Sequence, residues 1–186
     1  IIYKDTKLVN WDTKLETAIS DLEVEQREVQ SNLYYIKYKI YGEDKFLTIA
    51  TTRPETMIGD TAVAINSKDN RFKNFIGKSI IVPIVGRKVK IITDDYVSID
   101  QGSGVLKVTP AHDFNDFEIG KRHNLEFVNI FEKNGKLNNN APKEFIGMDR
   151  FEARKLITKM LKEKNLLEKI ENIKNAVPYG DRSNSI

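Results

Sequence analysis

Two short segments hold the residues best able to do chemistry. In the first, Lys107 and Thr109 stand two apart, and Pro110, Ala111, His112, Asp113 and Asp116 follow. A strand puts positions two apart on one face, and a helix puts positions three apart on one face. A strand reaching Thr109 and a helix starting near Asp113 therefore aim one ammonium, one hydroxyl and two carboxylates at a single mouth. Such a set can hold a zwitterion, with carboxylates for its ammonium and donors for its carbonyl oxygen. Capping competes as an explanation for the acids, because Asp113 is a good N-cap and Asp116 in the first turn meets the helix dipole favourably. Capping does not explain Lys107 and Thr109.

The second segment is Thr51-Thr52-Arg53-Pro54-Glu55-Thr56, directly after an apolar strand. Its hydroxyls and guanidinium can bond ribose, carboxylate or phosphate. The plainer reading is a proline turn whose threonines bond local backbone. His112 reads more simply as a packed or capping histidine than as a ligand, and His123 as a partner of its own helix C-terminus.

Other chemistries lack their residues. The chain has no cysteine and two histidines, so thiolate nucleophiles and Cys-ligated zinc are out. A metal phosphohydrolase built on His112 and Asp113, even with Asp116 and His123, is short of nitrogen ligands and is the least favoured reading. Gly102-x-Gly104 is too short for a dinucleotide fingerprint, and no serine sits in a nucleophile elbow.

The 186 residues suffice for one domain with short arms. A net charge of +3 is too small to mark a nucleic-acid binder, and 40% hydrophobic with 31% charged residues is a globular composition. No apolar run reaches the ~20 residues of a membrane helix. The chain begins without Met and stops at Ile186 without a helix cap, which reads as a piece of a larger cytoplasmic protein.

Alternating apolar residues predict strands over 33–41, 46–51, 61–65, 79–85, 88–92, 96–99, 105–109 and 125–131, the last turning at Asn134-Gly135 towards Leu137. Residues 1–30 carry only a weak strand signal. Helices are expected from Asp113 to about Arg122 and from Asp149 to about Lys164. In the second, Asp149 and Glu152 are spaced as a capping box, and Ala153, Leu156, Ile157, Met160 and Leu161 form one apolar stripe. The expected fold is α+β: a mixed, mostly antiparallel curled sheet or small β-barrel with flanking helices.

Together the two segments resemble the editing domain (connective peptide) inserted in the class I aminoacyl-tRNA synthetases for valine, isoleucine and leucine. Thr51–Thr56 is similar to that family's threonine-rich peptide, and Lys107–Asp116 to its second substrate-binding stretch. The resemblance runs through Leu8–Asp12, Thr17–Glu25, Met57–Ala64, Gly120–His123, Gly147–Arg154 and Val177–Ser183, in order, and is greatest with the valine enzymes. Isoleucine enzymes typically carry Gly at the place of Asp113 and a Trp-containing threonine peptide. Leucine enzymes usually carry Asp at the place of Glu55 and lack the pattern around Trp11. The ATP-binding signatures His-Ile-Gly-His and Lys-Met-Ser-Lys-Ser are absent, so no amino-acid activation is expected.

The resemblance implies an N-terminal arm over 1–31, an editing domain over 32–175 and a return to the synthetase core over 176–186. It implies hydrolysis of threonyl-tRNA(Val), with the tRNA acceptor end and the synthetase core in cis as partners, and with neither metal nor cofactor; ATP belongs to the core alone. It is a known property of the valine enzymes that their synthetic sites reject isosteric threonine only about 100-fold. Asp116, Lys107 and Thr109 are the implied catalytic residues, and Thr51, Thr52, Arg53, Thr56, His112, Asp113 and Asp116 the substrate-binding ones. Asp116 is expected to pair with the substrate ammonium, Asp113 to give a buried acceptor for the threonine hydroxyl, and Thr51 and Thr52 to line the terminal adenosine. Asp116 is expected to have a depressed pKa through its ammonium partner, which makes it a poor base. The alternatives are a tRNA-binding module without autonomous hydrolytic activity and the editing domain of an isoleucine or leucine synthetase.

Overall fold

In the computed structural model, Ile2 and residues 6–186 are described. Among the described residues there are nine strands, two α-helices and four short 3-10 helices. The strands are β1 (Asn10–Asp12), β2 (Thr17–Ile19), β3 (Val24–Ile40), β4 (Phe46–Thr51), β5 (Ala62–Ile65), β6 (Ser79–Ile81), β7 (Lys88–Thr93), β8 (Val105–Val108) and β9 (Leu167–Gly180). The helices are α1 (Phe114–Arg122) and α2 (Arg150–Glu163). β1 and β2 form a small hairpin. The other seven strands make one sheet in the order β4-β3-β6-β7-β5-β8, with β9 also on β3. Only the β5–β7 pair is parallel, so the fold is the expected mixed, mostly antiparallel α+β sheet.

The core follows from the apolar alternation. Ile36, Tyr38, Ile40, Leu47 and Ile49 of the β3–β4 hairpin are buried with Met57, Ile58, Val63 and Ile65. Helix α2 closes one side of this core with Ala153, Ile157 and Leu161, all fully buried, while Leu156 and Met160 pack at its margin. The predicted stripe is therefore the face that docks. Asp149 caps α2 by accepting from the Phe151 and Glu152 amides. Glu152 pairs with Lys155; among the described residues no reciprocal bond completes a capping box. A smaller cluster under α1 joins Ala62, Ala64, Val97, Val108 and Ile119.

The structure departs from the sequence expectations in four places. Residues 24–32 are half of β3, which pairs antiparallel with β9 from Val24↔Gly180 to Ile36↔Leu167. This ribbon runs unbroken through positions 31/32 and 175/176. Residues 96–99 are a turn and not a strand, because the Asp94 carboxylate and carbonyl take the Tyr96 and Val97 amides. The strand at 79 ends at Ile81, where the chain turns through Pro83 and Ile84, the latter at φ 67°. Residues 125–131 are extended but lack a ladder. Side chains satisfy their backbone instead: Ile130 N–H donates to His112, and the Asn138 and Asn140 amides donate to the Asn129 carbonyl. Only the bridge Phe131↔Leu137 remains of the hairpin expected around Asn134-Gly135.

Candidate functional site

The two chemistry-bearing segments meet. The end of β4, the 3-10 turn Pro54–Gly59, the end of β8 and the start of α1 enclose an open cleft of about 170 Å³. Its lining includes Thr51, Thr52, Arg53, Thr56, Lys107, Thr109, His112, Asp113 and Asp116, so every residue singled out for the site borders it. Tyr96 and Asn115, which were not singled out, border it as well.

Lys107 in β8 and Thr109 just past its end both turn to the cleft, as their spacing requires. The Lys107 ammonium donates to Thr109 Oγ1 at 2.5 Å, to Thr56 Oγ1 at 2.8 Å and to Asp60 Oδ1 at 3.4 Å. Those three bonds use all three donors of the ammonium. Thr109 Oγ1 in turn donates to Asp60 Oδ1 at 2.6 Å, and Tyr38 Oη donates to Asp60 Oδ2 at 2.8 Å. Thr56 Oγ1 donates to the Arg53 carbonyl. Asp60 is fully buried, and burial pushes its carboxyl above the ordinary range against the opposing pull of Lys107. Burial likewise raises the Tyr38 phenol, which the Asp60 charge and hydrogen bond raise further.

Asp113 is the N-cap of α1, and its Oδ1 accepts from the Asn115 and Asp116 amides. It sits exposed at the rim and not buried as expected. Asp116, in the first turn, is 5% exposed. Its Oδ2 reaches back to accept the Thr109 N–H at 2.8 Å, tying helix to strand. Its pKa is raised to about 6, chiefly by burial, with Lys107 opposing and Asp113 and Asp60 adding. Lys107 is already committed to Asp60 and the two threonines, and this leaves Asp116 the less compensated carboxylate.

His112 holds the cleft floor by its backbone and its ring. Its carbonyl accepts from Arg53, its Nε2 accepts the Ile130 amide at 3.0 Å, and its ring meets Phe131 edge-on at 4.7 Å. Burial, with Arg53 and Lys107 near, lowers its pKa to about 3, so the ring is neutral with its lone pair used. That removes the nitrogen a metal site on His112 needs. Among the described residues no group of three metal-ligating side chains assembles. His123 caps the end of α1 and turns its Nε2 to Asp94 at 2.9 Å.

The threonine segment is both a turn and a wall. Thr51 Oγ1 accepts the Arg53 N–H at 3.1 Å, the local bond of the plainer reading. Glu55 points inward, fully buried, and takes a bidentate grip from Arg154 of α2 at 2.7 and 2.8 Å. Helix α2 thus fixes the wall that carries Arg53 and Thr56. Gly59 lets this turn lie against its neighbours, since a Cβ there would stand 3.0 Å from the Val128 carbonyl and 3.1 Å from Thr109 Cγ2. Asp60 and Arg154 escaped the sequence reading as site residues. The available signal at Asp60 was a carboxylate next to the uninterrupted apolar run Ala62–Ile65.

Comparison with known proteins adds the lineage. The family described as "Leucyl-tRNA synthetase, editing domain" matches residues 68–174. The chain is 67% identical over its whole length to the valine–tRNA ligase of Pelagibacter ubique and 51% identical to that of Staphylococcus aureus. It spans 21% of each of those proteins. Among solved structures, a LeuRS from Agrobacterium radiobacter, in ternary complex with tRNA and LeuAMS, superposes with a TM-score of 0.61 at 16% identity, covering 80% of this chain and 20% of that one. The GlLeuRS-CP1 structure superposes with a TM-score of 0.57 at 10% identity, covering 75% of this chain and 99% of its own.

Proposed function

This chain belongs to the synthetase editing-domain family, and from that premise we propose that it hydrolyses the ester of threonyl-tRNA(Val), within the cytoplasm, as part of a valine–tRNA ligase. The observation that carries the reading is the arrangement at the cleft mouth. A buried carboxylate, Asp116, lies beside an exposed one, Asp113, while the neighbouring ammonium of Lys107 is held by internal partners. A cationic aminoacyl group suits that mouth.

The substrate ammonium pairs with Asp116, and the side-chain hydroxyl of threonine donates to Asp113. Valine, lacking the hydroxyl, leaves that acceptor to water and gains nothing from it. Thr56 and Arg53 position the ester from one wall and Thr109 with Lys107 from the other, while Thr51 and Thr52 line the terminal adenosine. Water attacks the ester carbonyl, the carbon–oxygen bond to the ribose breaks, and threonine and the free ribose hydroxyl leave. Once paired with the ammonium, Asp116 loses the basicity that burial confers. Positioning therefore supplies most of the acceleration, helped by the adjacent ribose hydroxyl. The reaction needs no metal or cofactor. The synthetase core presents the acceptor end in cis.

The test is deacylation of threonyl-tRNA(Val) by the chain at high concentration, with EDTA present, for the wild type and Asp116→Ala. Hydrolysis that survives EDTA and is lost in the variant is the expected result. Equal hydrolysis by both proteins refutes the reading.

A further inference from the structure

Asp60 lies below the cleft and does not border it, yet it touches the two groups of β8 that do. Its Oδ1 receives the Thr109 hydroxyl at 2.6 Å and the Lys107 ammonium at 3.4 Å, and its Oδ2 receives Tyr38 at 2.8 Å. A carboxylate this buried is costly unless paired and fully hydrogen-bonded. Packing alone does not call for it, because the strand that follows is wholly apolar and buried. Its charge has an electrostatic consequence at the mouth. Glu55 holds Arg154 and lies 3.7 Å from Arg53, His112 is neutral, and Asp60 holds Lys107. Asp113 and Asp116 then border the cleft with the opposing charge of Lys107 already paired to Asp60.

We infer that Asp60 is a positioning residue of this site: its carboxylate offsets the charge of Lys107 and fixes the Thr109 hydroxyl, so that an ammonium-bearing substrate meets Asp116 and Asp113 with less opposition from that lysine. The inference rests on the editing reading. Without the Asp60 charge, the Lys107 ammonium acts on Asp116 unopposed and repels the incoming ammonium. The groups set around Asp116 are Lys107 and the Thr109 amide from β8, Asp113 from the helix cap, Asp60 from the turn before β5, and Tyr96 from the loop after β7. Of these, Asp113 and Asp60 raise its pKa and Lys107 lowers it.

The test compares wild type, Asp60→Asn, and the double variant Asp60→Asn with Lys107→Met, in deacylation of threonyl-tRNA(Val) from pH 5 to pH 8. Asn keeps the shape and removes the charge. The expected result for Asp60→Asn is a KM raised about tenfold, as an unopposed like charge at short range implies, and an acid limb of kcat/KM moved to lower pH. The double variant loses kcat with its lysine but returns KM and the acid limb towards wild type, and it carries the test if the single variant does not fold. A merely structural Asp60 predicts a lower active fraction with unchanged KM and limb, in both variants; that result overturns the inference and spares the editing reading. A wild-type chain that hydrolyses no threonyl-tRNA(Val) overturns the editing reading itself, and the inference with it.

Discussion

Replacing Asp116 by Asn stabilises the protein in a pH-dependent manner. Asp116 is buried at the base of α1 and titrates at about 6 instead of 3.8. At about 1.4 kcal/mol per pH unit, that difference makes its ionised form roughly 3 kcal/mol costlier in the native state than in the unfolded chain. The sign follows from a raised native pKa. Below pH 4 both states carry the proton and the side chain contributes no pH dependence. As pH rises from 4 to 6 the unfolded chain releases the proton first, so native stability falls, and above 6 the loss is complete. Asn keeps an acceptor for the Thr109 amide and has no charge to desolvate. The stability of Asp116→Asn relative to wild type therefore grows by roughly 1.4 kcal/mol between pH 5 and pH 8, about half of the whole effect. Urea denaturation of both proteins at those two pH values, followed by circular dichroism, measures it. A difference that stays constant to within ~0.5 kcal/mol contradicts the burial argument. So does one that shrinks at pH 8.

Three other outcomes follow from the same contacts. Asp113→Asn keeps the helix cap and Asp113→Ala loses it, so only the alanine variant is destabilised, by about 1 kcal/mol, while both lose discrimination of threonyl- from valyl-tRNA; thermal melts and deacylation ratios separate the two effects. Arg154→Met strands the buried Glu55 carboxylate and costs about 3 kcal/mol or more in urea unfolding, with a weaker site because the Thr51–Thr56 wall loosens. For the wild type, kcat/KM falls below pH about 6, where free Asp116 takes up its proton, and His112 with its pKa near 3 adds no further inflection above pH 5. A limb displaced to pH 7 or above in the rate profile refutes the assignment to Asp116.

Periodic features were legible in the sequence and context-dependent ones were not. The α2 stripe and the β3–β4 hairpin are where apolar spacing placed them, since each packs one face on the core. The convergence of Lys107, Thr109, Asp113 and Asp116 followed from the periods of strand and helix. The strand β9 escaped because Leu167–Gly180 alternates weakly and lies half-exposed along its length. Its pairing with β3 supplies the order that its own residues do not declare. The segment 125–131 looked like a strand from its apolar content, yet several of its backbone groups are met by the side chains of His112, Asn138 and Asn140. No local pattern encodes a histidine 18 residues away. The raised pKa of Asp116 was not legible for a similar reason: it comes from burial and from the nearby carboxylates of Asp113 and Asp60, and the fold alone brings Asp60 and the burial about.

A cleft that distinguishes a hydroxyl from a methyl group on an aminoacyl ester is tested by the ratio of deacylation rates for threonyl-tRNA(Val) and valyl-tRNA(Val), in parallel reactions at equal chain concentration. The expected ratio is at least about tenfold in favour of threonine, the worth of one hydrogen bond to a charged acceptor. Equal rates for the two esters contradict it, as does tight binding of uncharged tRNA with no hydrolysis of either ester.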